Sequence, residues 1–220
     1  MRITFPTILL LSAAICSATP TVTLALQGVG GATQWNGVYS FPYTMLIGTG
    51  SAAQAAAMMC DDYTDEIAVS ESWQAIDLAL TAANVTQFQF YSNFSSDADP
   101  VSAAMMAYNE AAYLYTDAIQ HPANDPIDNA AVWKIFDPSL SVGSDVLTQL
   151  TAAAGAVTPT TYYSDIRIFT PANPALQTSG GRPQEFITTT PEPPASLLLA
   201  AGGLLIAALG ALRRKRASRA

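Results

Sequence analysis

Residues 99–122 read "DPVSAAMMAYNEAAYLYTDAIQHP", and they carry the clearest helical pattern in the chain. Asp99 and Pro100 supply an N-cap and a proline at the first helical position. Apolar side chains then recur every three or four residues, which puts them on one face of a helix. These side chains are Met105, Tyr108, Ala112, Tyr115 and Ile119. The pattern predicts a helix that ends at His121 and Pro122.

Two more helices are predicted after this one. Residues 125–138 again open with Asp-Pro, and Asp128 near the start and Lys134 near the end suit the helix dipole. A third helix is expected over residues 142–154, where Gly155 would stop it. The middle of the chain is therefore a predicted block of three helices.

Strands are expected on both sides of this block. Aromatic and β-branched residues or partial alternation favour strands in four segments: residues 34–48 with a break at Pro42, 65–80, 85–94 and 161–169. The alanine-rich run 51–60 fits either a helix or a short strand. The predicted fold class is α+β: residues 26–170 form one small extracytoplasmic domain of antiparallel strands with a three-helix block, followed by a C-terminal transmembrane helix.

The N-terminal segment is predicted to be a secretory signal peptide over residues 1–25. Arg2 gives a positive start, an apolar stretch follows, and small residues come next. Cleavage could follow Ala18 or Ala25, and the second position is preferred. At the other end of the domain, prolines, glycines and threonines indicate a disordered stalk over residues 171–194.

The C-terminal segment has the features of a membrane anchor. Residues 195–212 are uncharged, and as a helix they would extend about 27 Å, close to the thickness of the hydrocarbon core of a bilayer. A basic tail over residues 213–220 follows, with Arg213, Arg214, Lys215, Arg216 and Arg219. Basic flanks stay in the cytoplasm, so residues 195–212 are predicted to span the inner membrane once with the body outside.

Just before this predicted span lie Pro191, Glu192 and Pro193. This motif, the span and the terminal basic cluster together resemble the PEP-CTERM sorting signal of Gram-negative bacteria. The resemblance implies export by the Sec machinery, recognition by an exosortase at the inner membrane and cleavage near the motif. It further implies release of a non-catalytic body to the cell surface or to an extracellular biofilm matrix, where polysaccharide is an expected neighbour.

The charge of the body excludes one class of partner. Residues 26–190 hold sixteen of the seventeen carboxylates but three of the nine basic residues, which gives this segment a net charge of −13. Nucleic acid would be repelled by such a surface, so a DNA or RNA partner is not expected.

Few residues suggest catalysis or metal binding. The chain has one histidine, His121, and no Gly-x-Ser-x-Gly motif, so a secreted hydrolase is an alternative without a recognisable nucleophile. No catalytic residue and no cofactor are assigned. Clustered oxygens at Asp61, Asp62 and Asp65 could hold calcium, although the twelve-residue loop of an EF-hand is missing.

Cys60 is the one cysteine left in residues 26–190. The segments "MMCDDYTDEIAVSESW" and "DNAAVWKIFDPS" resemble the thioester adhesion domains of bacterial surface proteins. In those domains a cysteine bonds a glutamine of a Gln-x-Ala-x-Trp helix, and the thioester captures amines. Here the resemblance pairs Cys60 with Asn129, which stands at the glutamine position and is shorter by one methylene. The alternative function it implies is an adhesin that reacts through Cys60; otherwise Cys60 and Trp133 are core residues.

Overall fold

A computed structural model describes residues 21–30, 34–161 and 163–190. This part of the chain contains eight strands and three α-helices. In chain order they are β1 (Thr21–Val29), β2 (Gln34–Trp35), β3 (Val38–Tyr39), β4 (Tyr43–Ile47), β5 (Gln54–Cys60), β6 (Ser72–Ala79), α1 (Pro100–Gln120), α2 (Asp125–Phe136), α3 (Ser144–Ala156), β7 (Ile166–Pro171) and β8 (Phe186–Thr189).

Six of the strands close into a barrel with the order β1-β4-β5-β8-β7-β6, and every neighbouring pair is antiparallel. Successive side chains of a strand point to opposite faces, so alternate residues fill the barrel. The filling side chains are Leu24, Leu26, Tyr43, Met45, Met58, Cys60, Trp73, Ala75, Phe169 and Phe186. The two remaining strands, β2 and β3, form a hairpin through Asn36 and Gly37, which both have positive φ.

The helices cover the outside of the barrel beside β7 and β8. Ile168 and Ile187 point away from the interior and join the buried helical core, which includes Tyr115 and Trp133. The Tyr115 hydroxyl also lies 3.2 Å from the hydroxyl of Thr188. Both faces of β8 are therefore buried, one by the barrel filling and the other by α1.

The helical predictions agree well with the structure. Asp99 caps α1, because its Oδ1 accepts a hydrogen bond from the Ser102 backbone N–H at 3.1 Å. The predicted start and end of the first two helices are confirmed by α1 and α2. The third prediction needs two corrections, since α3 begins at Ser144 rather than at residue 142, and it runs through Gly155 to end at Ala156.

The predicted fold class, an α+β domain with a C-terminal transmembrane helix, is wrong. The strands form a closed six-stranded barrel accompanied by helices, because β8 pairs with both β5 and β7 and leaves the sheet without an edge. No helix within the described ranges is long and apolar enough to cross a membrane. The predicted span 195–212 and the basic tail lie outside the described residues.

Part of the predicted disordered stalk is wrong, because residues 186–189 form strand β8 of the barrel. Phe186 and Ile187 are fully buried in β8. The preceding loop is also held in place, because the Glu71 carboxylate accepts hydrogen bonds from the backbone N–H of Gly180 at 2.6 Å and from the hydroxyls of Thr178 and Ser179. The prolines and glycines here shape a packed loop and do not mark disorder.

The strand predicted over residues 85–94 is also wrong. The segment forms two short 3₁₀-helices, Val85–Gln87 and Gln89–Phe94. A 3₁₀-helix has three residues per turn, and Val85, Phe88, Tyr91 and Phe94 follow this spacing and pack against the helical core.

Three other strand predictions are adjusted by the structure. The open case of residues 51–60 is resolved as strand β5. The segment 65–80 is a strand only from Ser72 onward, and the last predicted strand begins at Ile166.

Strand β1 bears on the predicted signal peptide. Residues 21–25 pair with residues 72–76 of β6, and Leu24 is fully buried in the barrel. Cleavage after Ala25, the preferred position, would remove this half of β1, whereas cleavage after Ala18 would leave the strand whole.

Candidate functional site

The residues paired by the thioester resemblance meet where the barrel joins the helices. Asn129 lies on α2 and is fully buried. Its Nδ2 donates a hydrogen bond to the Cys60 carbonyl oxygen at 2.6 Å, and its Oδ1 accepts one from the Phe41 backbone N–H at 2.7 Å. A single side-chain amide thus joins α2 to the end of β5 and to the segment before β4. We call Asn129 and these two backbone groups the amide clamp.

The Cys60 thiol is engaged by Asp62, and the indole of Trp133 on α2 lies near it. The Cys60 side chain packs in the barrel interior, and its Sγ donates to the Asp62 carbonyl oxygen at 3.1 Å. Burial raises the pKa of Cys60 well above its ordinary value, and the charges of Asp62 and Asp61 raise it further. The Asp62 backbone N–H and the nearby indole of Trp133, whose N–H falls short of hydrogen-bond geometry, lower it without outweighing burial. The structure therefore holds Cys60 as a neutral thiol, a poor nucleophile.

Asp62 organises the loop after β5. Its Oδ1 accepts hydrogen bonds from the backbone N–H groups of Thr64 and Asp65 and from the Thr64 hydroxyl. Its Oδ2 accepts from the Gln89 side chain at 2.8 Å. Both carboxylate oxygens are thereby used within the protein, and they fix the backbone on which the following residues stand.

Next to Cys60, Asp61 and Glu185 form a buried acid pair. Both side chains are almost completely buried, and burial raises the pKa of each. Glu185 accepts from the Tyr108 hydroxyl at 2.6 Å and from the Gln89 backbone N–H at 2.8 Å, whereas no N–H or O–H of the described residues donates to Asp61. Ionisation is therefore less costly at Glu185, which has these donors, than at Asp61.

A second group of carboxyls lies at the corner between α1 and α2. Asp128 is fully buried, and no described N–H or O–H donates to either of its oxygens. Burial, together with neighbouring Asp117 and Asp125, raises the pKa of Asp128 to about 7. Burial raises the pKa of Asp125 to about 6. Asp128, which the sequence suggested as a helix-dipole residue, is thus a buried acid with a pKa near neutrality.

Beside the amide clamp, a half-open cavity of about 510 Å³ lies between the β2–β3 hairpin and the loop after β5. Its aromatic wall includes Tyr39, Tyr63 and Trp133. The rings of Tyr63 and Trp133 lie 5.2 Å apart, and Trp35 packs edge-on against both at 6.2 Å. The volume falls within the range of small-molecule sites.

The calcium site predicted at Asp61, Asp62 and Asp65 is not formed. Asp61 faces Glu185, both oxygens of Asp62 are occupied by internal hydrogen bonds, and Asp65 lies at the cavity. Within residues 21–30, 34–161 and 163–190, no group of three or more His, Cys, Asp or Glu side chains could hold a metal ion.

The remaining predicted residues are distributed as follows. His121 lies at the exposed end of α1, and its Nδ1 is 2.9 Å from Asp117 Oδ1. With a side chain that is 59 % exposed, His121 gives no support to a hydrolase. The sorting motif of Pro191, Glu192 and Pro193 lies outside the described residues, as do the basic residues that follow it.

Two groups at this site were not predicted from the sequence. Glu185 lay in the supposed stalk, and the aromatic wall is assembled from side chains far apart in the chain. Comparison with known proteins adds no assignment, because no protein-family model, no curated protein and no solved structure matches the chain.

Proposed function

We propose that this chain is an exported, non-catalytic bacterial protein that is held briefly in the inner membrane by residues 195–212. An exosortase then processes it near Pro191, Glu192 and Pro193, and the barrel domain is displayed at the cell surface or in the extracellular matrix. One observation carries the structural side of this proposal. Strand β8 ends at Thr189, so cleavage at the motif would leave every strand of the barrel intact.

The environment of Cys60 supports a non-catalytic role. Its thiol is buried and its pKa is raised, which disfavours the thiolate that nucleophilic chemistry needs. Both ends of the Asn129 amide are already used in short hydrogen bonds to backbone groups. The junction is therefore well suited to holding two parts of the fold together.

Expression of the full chain in a host with an exosortase and in the same host without it tests this proposal. We expect the mature C-terminus to fall near residues 190–194 in the first host and the uncut chain to remain in the membrane fraction in the second. The variant Glu192→Ala should stay uncut in both, whereas Glu110→Gln, a control on α1, should be processed normally. Equal processing in the two hosts, or an uncut chain that is freely water-soluble in the cytosol, would contradict the proposal.

The orientation has its own test. An epitope placed after Ala220 should be reached by antibody only after the inner membrane is permeabilised, because the basic tail is expected in the cytoplasm. An epitope on the exposed Asp97 loop should be reached from the periplasmic side. Labelling of the C-terminal epitope from outside would contradict the predicted topology.

A thioester-like adhesin is the second candidate, and one observation favours it. The Asn129 amide and Cys60 are in direct contact despite their separation in the chain. Attack of Sγ on the Asn129 amide carbon would form a carbon–sulfur bond and release ammonia. The intact mass of the exported protein decides between the two, because formation of a thioester lowers the mass by one ammonia and leaves no free thiol. The full mass with one titratable thiol after unfolding is the result that we expect.

A further inference from the structure

The half-open cavity beside the amide clamp has an aromatic wall that could contact a cation. Tyr39 is 45 % exposed, so its ring is available to a ligand, and Tyr63 is half-buried beside it on the cavity wall. The Tyr43 hydroxyl donates to the Tyr39 carbonyl oxygen at 2.5 Å, which ties the hairpin to β4 and keeps this wall in position. Aromatic faces carry partial negative charge and attract ammonium groups within about 6 Å.

The charged side chains at the cavity are negative, so they also attract a cation. Asp62, Asp65 and Glu66 line the cavity, and among the described residues no lysine, arginine or histidine does. The carboxylate of Asp62 is fixed, because its oxygens are held by internal hydrogen bonds, whereas the Glu66 side chain is exposed at the cavity. Arg182 is a nearby cation whose charge reaches Asp65, but it does not line the cavity.

We propose that this cavity binds an organic ammonium group without covalent reaction. A metal ion would need converging oxygens, and the carboxylates here do not provide them. A quaternary ammonium is weakly hydrated and bulky, whereas a primary ammonium is compact and can donate hydrogen bonds; either can use the rings of Tyr39 and Tyr63 and the charges of Asp65 and Glu66 together. The ammonium could belong to a quaternary headgroup such as choline or to the primary amine of a lysine or an amino sugar. This site goes beyond the proposed sorting and display, and it stands or falls independently of them.

The test compares choline with its uncharged isostere, 3,3-dimethyl-1-butanol, by titration of the full chain in a non-ionic detergent. Phosphate buffer is used because amine buffers would compete, and sodium chloride at equal ionic strength controls for screening. The rings of Trp35, Tyr63 and Trp133 give a fluorescence readout next to the site. We expect saturable binding of choline, no saturation with the isostere and weaker binding as salt is raised.

Two conservative variants connect binding to the cavity. Tyr39→Leu keeps an apolar side chain but removes the ring, so choline should bind about twofold to fivefold more weakly. Glu66→Gln removes one exposed charge and should weaken binding by up to about fivefold. The matched control Asp97→Asn removes an exposed charge outside the cavity and should leave the affinity unchanged. Arg182→Gln should strengthen binding, because it removes a repulsive charge near Asp65.

Methylammonium and a lysine-containing peptide, titrated in the same way, distinguish the two sources of the ammonium group. Tighter binding of either than of choline assigns the site to primary amines, and the reverse assigns it to quaternary headgroups. Equal binding of choline and its isostere, or an unchanged affinity in both Tyr39→Leu and Glu66→Gln, would overturn the proposal. Normal processing of the same chain by exosortase would then leave the proposed sorting function intact.

Discussion

Replacing Asn129 with alanine should destabilise the domain by about 2–6 kcal/mol, because two buried backbone groups lose their partner together. The Phe41 N–H and the Cys60 C=O are both held by this one amide, at 2.7 and 2.6 Å. An unsatisfied buried polar group costs about 1–3 kcal/mol, and the variant leaves two of them. The loss should lower the urea midpoint followed by tryptophan fluorescence, with little change in the slope of the transition.

The isosteric variant Asn129→Asp adds a pH signature to this prediction. A carboxylate cannot donate to the Cys60 carbonyl oxygen, but a protonated carboxyl can. Burial should raise the pKa of the new acid, so its contribution to stability is fully present below the pKa of the unfolded chain and is lost as pH rises through the folded value. Asn129→Asp should therefore approach wild-type stability toward about pH 4 and fall behind it at pH 7.

A control is available on the same helical side of the fold. Asn93 donates one hydrogen bond from its side chain to the Phe136 carbonyl oxygen at 2.9 Å, and its side chain is exposed. Asn93→Ala should cost about 1 kcal/mol or less. The reasoning is refuted if Asn129→Ala destabilises no more than this control, or if Asn129→Asp shows no pH-dependent difference from wild type.

Three further outcomes are expected. The wild type should lose stability as pH rises from about 4 to about 7, because the folded pKa of Asp128 is raised and the unfolded chain ionises this group first. Asp128→Asn should not show this loss, and parallel urea titrations of the two proteins check it. Hydrogen bonds from the loop lower the pKa of Glu71 to about 2 against the opposing effect of burial, so Glu71→Gln should speed proteolysis near Thr178. In wild type this restraint should weaken progressively as pH falls from about 4 toward 2. N-terminal sequencing of the exported protein should place the first residue at or before Thr21, and a chain starting after Ala25 should be much less stable, since it lacks half of β1.

The helices could be predicted because their signals are local. Asp99 and Pro100 mark the start of α1, and apolar spacing of three and four residues fixes its buried face. The helix α2 followed from the same kind of start. Neither prediction required knowledge of what the helix packs against.

The closure of the barrel could not be predicted in this way. Strand β8 is four residues long and sits in a segment rich in proline and glycine, and it exists because Met59 and Cys60 of β5 pair with Ile187 and Phe186. Such pairing is not visible in the local sequence. Similarly, phenylalanines two residues apart over 85–94 suggested a strand, although the segment forms 3₁₀-helices in which side chains three residues apart, as well as Phe90, pack on the helical core.

The candidate site was predicted in part. The contact between Asn129 and the end of β5 follows the pairing that the thioester resemblance suggested, but the thiol itself points into the barrel. Glu185 escaped notice because it lies beside β8, in the supposed stalk. The aromatic wall escaped notice because Tyr39, Tyr63 and Trp133 come from three separate elements that meet only after folding.

The position of β8 also sets the order in which this domain can assemble. Strands β5 and β7 meet only through residues 186–189, so both keep a bare hydrogen-bonding edge until that short segment has emerged. A chain threaded through a translocon from its N-terminus would remain unable to close until nearly all of residues 21–190 had crossed. If the chain is exported in this way, late closure would keep the polypeptide thin enough for passage. The interval before β8 docks would then be the period of greatest exposure to proteases and to other chains.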